Sequence, residues 1–237
     1  MKDFINETKN VLLDIKKYVV FVFVILVFLL SSLFQIIPIK LFNLDVKNIT
    51  NLEESFLTLF SYICSLIICI FLYRKTIKKE ISNFDKKSFK KNFFYSIKLW
   101  IIGLIIMMIS TFIFSKIGIT SNNNDSVINM FISSPLVYGI TLILFSPLLE
   151  EIVFRMAFKD IFNGLSFILI SGIVFGSIHV IFSITSLLDL LYLIPYCSLG
   201  IIFGIIYNKT DNLSYTYIIH LLHNLLTSII ILVLVGV

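Results

Sequence analysis

The sequence predicts an all-α protein: a polytopic transmembrane helix bundle of about seven spans, with a polar site within the membrane formed by the C-terminal helices. Three observations carry the prediction. The 237-residue chain is 58% hydrophobic, with a mean hydropathy of +1.01, whereas soluble domains hold about 45–50% apolar residues even with glycine counted. The apolar residues fall in runs long enough to cross a hydrocarbon core about 30 Å thick, which takes roughly 20 residues of helix. The few ionisable residues within or at the ends of the C-terminal runs have notable partners four residues away, on the same helix face. The wealth of Ile, Phe, Asn and Lys fits an A/T-rich genome, which points to a bacterial source and leaves part of the Asn and Lys content without functional meaning.

The candidate spans lie at about 18–37, 56–73, 94–118, 130–149, 165–184, 188–207 and 214–236. Ahead of the first, Phe4, Ile5, Val11, Leu12 and Ile15 share one helical face opposite Lys, Asp and Glu. An interfacial helix lying on the bilayer and a solvated tail both fit that pattern. The first span is too long for a secretory signal peptide and lacks a small-residue cleavage site. Between the second and third spans, Arg74 to Lys91 holds eight Lys or Arg, and the net charge is +5. Such a block beside apolar spans marks a cytoplasmic loop against anionic lipid, so the expected partner is the lipid bilayer and no nucleic acid. A cytoplasmic N-terminus puts Arg155, Lys159 and Lys209 on the same side as this block. Lys40, Lys47, Lys116 and the polar loop Ser121 to Ser126 then face outward. The expected location is the cell membrane, multi-pass.

Cys64, Cys69 and Cys197 lie scattered in apolar runs, an odd set with neither disulfide nor metal spacing. Gly172 with Gly176, and Gly200 with Gly204, have the spacing that lets helices approach closely. Pro147 and Pro195 could each kink a span and free carbonyls toward a cavity. No internal repeat and no linker divides the chain. Residues 1–131 read as N-terminal spans with the basic loop and 132–237 as the functional core, within one structural domain.

The polar residues define the candidate site. Glu150 and Glu151 follow the run Ser133 to Leu149, with Arg155 a turn later. Glu151 placed four before Arg155 is the favourable order for an ion pair. That accounts for two of the three residues and not for Glu150, which lies about 100° around the helix. A carboxylate in a partly apolar place is suited to general-base work. His179 lies inside the next run and is either a core histidine bonded to backbone or a group that accepts a proton, orients water or binds a metal. His220 with Asn224 provides N–H donors able to stabilise an oxyanion, or else an interhelical hydrogen bond. His223, three residues after His220, is an alternative participant that ranks lower, because the membrane interface suits it as well. Two histidines and a glutamate match a common zinc set, although H-E-x-x-H is absent, and a metal-free water is an equal alternative.

In order along successive apolar segments, E-E-x-x-x-R, F-x-x-x-H (Phe175 to His179) and H-x-x-x-N resemble the CPBP family. Its members are type II CAAX prenyl endopeptidases and bacteriocin-processing proteins, also called Abi. The resemblance spans about Ile132 to Leu234. It implies an intramembrane endopeptidase in which Glu150 with His179 activates water and His220 with Asn224 holds the oxyanion. Glu151 and Arg155 would shape the site. It leaves open a divalent metal such as zinc, held if present by Glu150, His179 and His220. The implied substrate in a bacterium is a small peptide or a membrane-protein tail rather than a prenylated protein. A non-catalytic bacteriocin-immunity factor or transporter is the alternative, and a structural protein whose polar residues only join helices is the third.

Overall fold

In lipid, a chain hides its peptide groups by bonding them internally, and helix is the local way to do so. The computed structural model of the chain describes the backbone of residues 2–119, 122–182 and 184–235, and the side chains of 11–119, 128–182 and 184–233. These residues are mostly helical, and none of them forms a strand. The helices are α1 (Lys2–Leu29), α2 (Ile36–Leu41), α3 (Asn51–Ser82), α4 (Lys86–Lys116), α5 (Asn122–Ser133), α6 (Pro135–Ile161), α7 (Gly164–Ile181), α8 (Leu193–Thr210, preceded by a 3₁₀ turn at Leu187–Tyr192) and α9 (Leu213–Val235).

Six helices are long and apolar enough to cross a membrane, and a seventh span results if the bent pair Val11–Leu29 and Ser31–Leu41 counts as one. That pair bends by 60°, where the sequence reading put one span at about 18–37. The segment before it runs as helix directly into the span, while Phe4 and Ile5 have side chains outside the described set. Of the polar stretch expected as an outer loop, Ser121 lies outside the described residues and helix begins at Asn122.

Local chemistry sets the helix starts. Thr50 and Glu53 exchange bonds in a capping box, with the Glu53 carboxylate accepting the Thr50 N–H at 2.8 Å. Asp85 begins α4 by accepting the N–H groups of Lys87 and Ser88 at 2.9 and 3.1 Å. The Lys87 bond foremost holds the Asp85 carboxyl below its ordinary range. Gly164 takes φ +51° in the short turn into α7. Pro195, expected as a possible kink, sits in the first turn of α8, where its missing N–H disturbs little.

α7 and α8 pack closest where glycine removes the side chain. A Cβ on Gly172 would lie 2.6 Å from the Ile201 backbone nitrogen, and one on Gly176 would lie 2.5 Å from that of Cys197. α6 is central: every residue from Leu149 to Phe158 is buried, among α1, α3, α7 and α9. Glu80 at the end of α3 pins the last two helices. It accepts from the Tyr207 hydroxyl at 2.6 Å and from the Leu213 N–H at 2.7 Å, and its carbonyl accepts from Asn212 at 2.9 Å. This fixes the height of α9, and so of His220, against α3.

Candidate active site

The site begins with an irregularity in α6. Two π turns, Thr141–Phe145 and Ile152–Ala157, bracket Ser146–Glu151. Such turns widen a helix and recur at functional sites. In the i→i+5 register of the first turn, Ser146 N–H reaches the Thr141 carbonyl, so the Leu142 carbonyl would look to residue 147. Pro147 has no N–H to give. The side-chain amide of Asn224 fills that place, donating to the Leu142 carbonyl at 2.8 Å. The glutamates, placed by the sequence reading at the end of a span ending near 149, are therefore interior to a helix that runs on to Ile161. The apolar run ends at Leu149, but the helix and its burial do not, because Glu151 and Arg155 neutralise one another.

That pair is fully buried. Arg155 Nε donates to Glu151 Oε2 at 3.0 Å, and neither side chain has any exposed surface. Arg155 Nη1 donates to the Ser171 hydroxyl at 3.3 Å. The guanidinium carbon stands 5.2 and 5.8 Å from the ring centres of Phe175 and Phe203, within cation–π range. Glu151 Oε1 faces His220 Nδ1 at 3.0 Å. A carboxylate held by a guanidinium is an acceptor, so Nδ1 carries the proton and Nε2 points away from Glu151.

Nε2 of His220 meets Glu150. Glu150 Oε1 accepts from the Ser146 hydroxyl one turn back. Its Oε2 is buried and has no hydrogen-bond partner in the structure. This oxygen lies 3.7 Å from His220 Nε2 and 3.9 Å from His179 Nε2. The two imidazoles are held by aromatic rings. His179 stacks on Tyr196 with ring centres 5.1 Å apart and meets Phe175 edge-on at 4.8 Å, and His220 lies 4.9 Å from Phe203. Adjacent glutamates thus take opposite sides of one histidine.

These groups open onto a cavity of about 500 Å³ among α3, α4, α6, α7, α8 and α9. Glu150, His179, His220 and Asn224 all line it, while Glu151 and Arg155 lie behind it. The structure brings all six sequence-predicted residues together. It adds Ser146 and Tyr62, whose hydroxyl interacts with Ser146, and it puts His223, the alternative participant of the sequence reading, on the cavity wall. Trp100 donates its indole N–H to His223 Nδ1 at 3.4 Å. Serine, tyrosine and tryptophan are ordinary in spans, and no spacing within one helix links Tyr62 or Trp100 to the motifs.

The spacing bears on a metal. Tetrahedral zinc with ligands near 2.1 Å sets donor atoms about 3.4 Å apart, and the Glu150–histidine separations exceed that. Among the described residues no group of three or more His, Cys, Asp and Glu side chains is placed to hold a metal ion. Polar atoms 3.7 and 3.9 Å apart suit a bridging water.

No curated protein and no solved structure matches the chain. One protein family does, that described as type II CAAX prenyl endopeptidase Rce1-like, over residues 132–226. The matched segment holds α6, α7 and α8 whole, with every residue of the three motifs. Family and fold together make the chain a multi-pass membrane protein with a protease domain. Residues 132–226 match the Rce1-like model of the CPBP family, a family of CAAX-type proteases.

Proposed function

We propose that the protein hydrolyses a peptide bond of a small peptide or membrane-associated protein, with Glu150 as general base on a water shared with His179. The water oxygen attacks the carbonyl carbon and its proton passes to Glu150. The carbonyl oxygen becomes an oxyanion, to which Asn224 offers the second N–H of its amide and His220, when Nε2 as well as Nδ1 carries a proton, its Nε2–H. The C–N bond then breaks, the amine leaves with the proton held by Glu150, and a carboxylic acid and an amine result. Glu151 and Arg155 hold His220 in the tautomer that turns Nε2 to the cavity. The protease core is 132–237, and residues 1–131 supply the α3 and α4 walls. The basic segment 74–91 and the N-terminus face the cytoplasm, as their charge directs.

One observation carries the reading: a buried carboxylate oxygen without a hydrogen-bond partner faces two histidine Nε2 atoms in one cavity. A lone buried acceptor is costly, and a reacting water gives it a use. The cavity is mainly apolar, with Phe175, Leu199, Phe203 and Ile231 among its lining residues, which suits an apolar peptide segment. The test is cleavage of a synthetic peptide library by protein in nanodiscs, compared with Glu150→Gln. We expect a loss of about 10²–10⁴-fold for the variant. Undiminished cleavage by well-inserted Glu150→Gln protein would sink the reading.

A further inference from the structure

We propose that His223, held by Trp100, is a catalytic residue: a neutral N–H donor to the carbonyl oxygen of the scissile bond. The inference rests on the peptidase reading above and adds a residue at a position the third motif leaves unspecified. His223 lines the cavity beside Asn224 and three residues after His220. The Trp100 indole N–H points at its Nδ1. Indole nitrogen only donates, so Nδ1 is the acceptor, and the ring proton of a neutral imidazole sits on Nε2. A protonated ring would set two N–H groups against each other. Trp100 therefore fixes both the tautomer and the neutral state of His223, and Nε2–H is left as a donor on the far side of the ring.

The other groups of this wall each have a second task, and Asn224 keeps its second amide N–H for the oxyanion. Asn224 gives an amide N–H to the Leu142 carbonyl, a bond that Pro147 makes necessary. His220 gives Nδ1–H to Glu151, and its Nε2 faces Glu150. A developing oxyanion needs donors that are in place and do not exchange protons with the general base. A histidine held neutral meets both conditions. Glu150, His179, His220 and His223 line the same cavity. Trp100 acts through His223 and is a positioning residue.

The chain has one tryptophan and three histidines, so the site can be observed without a substrate. In protein labelled with ¹⁵N at histidine and tryptophan, we expect His223 to show an unprotonated Nδ1 and a protonated Nε2. Trp100→Phe should abolish that preference while the His220 signals stay in place. Kinetics follow on a library peptide whose cleavage requires Glu150. His223→Ala should lower kcat by about 10²-fold with KM little changed, His223→Gln should restore most of the loss by supplying an amide N–H, and Trp100→Phe should fall between. A proton on His223 Nδ1, or wild-type kcat in His223→Ala, would overturn the proposal and leave the Glu150 mechanism standing. Absence of any Glu150-dependent cleavage would instead overturn the peptidase reading and this inference with it.

Discussion

Arg155 has no exposed surface, so its charge must be answered inside the protein. Glu151 gives the main answer and His220 shares the same carboxylate. Removing one partner of a buried pair leaves the other uncompensated, which costs on the order of 3–5 kcal/mol, while apolar replacement of both is often neutral. Arg155→Ala and Glu151→Ala should therefore each lower stability by about that amount, and the double variant Glu151→Leu/Arg155→Met should recover most of it. Trp100 fluorescence during unfolding in mixed micelles measures all three. A double variant as unstable as either single one would show that the pair does more than neutralise itself. The same physics explains which residues were legible in the sequence. Charged groups and histidines in apolar runs are costly, so Glu150, Glu151, Arg155, His179 and His220 stand out. Ser146, Tyr62 and Trp100 cost little anywhere in a span and acquire meaning only through partners on other helices.

At the scale of the element, apolar runs announce that helices exist but not where they end or how they deviate. The reading that ended a span near 149 followed hydropathy; the helix continues to Ile161 because its polar residues are paired within the protein. The π turns and the 60° bend after α1 arise from packing between helices, which no single run encodes. The glycine spacing was legible, and it permits a graded prediction. A Cβ on Gly172 or Gly176 would meet backbone atoms at 2.5–2.7 Å, whereas one on Gly204 would meet its neighbours at 3.3–3.4 Å. Backbone cannot yield as a side-chain tip can, so Gly172→Ala and Gly176→Ala must push α7 from α8. Overpacking of this kind costs typically about 1–3 kcal/mol, and Gly204→Ala should cost much less. Because His179 rides on α7 one turn from Gly176, Gly176→Ala should also lose peptidase activity in protein that remains folded. Equal melting temperatures for the three variants would refute the close approach.

For the whole molecule, charge predicts which way the bundle sits. α3 is 32 residues long, about 48 Å of helix, so its two ends cannot lie on one side of a bilayer unless it lies flat. Lys47 precedes its start and Lys79 is in its last turn, both exposed. Positive charge concentrates at the Lys79 end, across Arg74 to Lys91, and positive segments stay cytoplasmic. The three native cysteines lie within apolar helices, two half-buried and one buried, so they give little background to a polar reagent. In intact cells a membrane-impermeant maleimide should label Lys47→Cys, and should reach Lys79→Cys only after the membrane is opened. The reverse pattern would invert the molecule, place α6's Lys159 outside with the basic segment, and force the charge argument to be abandoned. With the expected pattern, Glu80, which ties the cytoplasmic end of α3 to the start of α9, sets the depth of His220 below the cytoplasmic surface. The reacting groups then lie within the first third of α9 from that side, and a peptide segment reaches them through the bilayer's inner half.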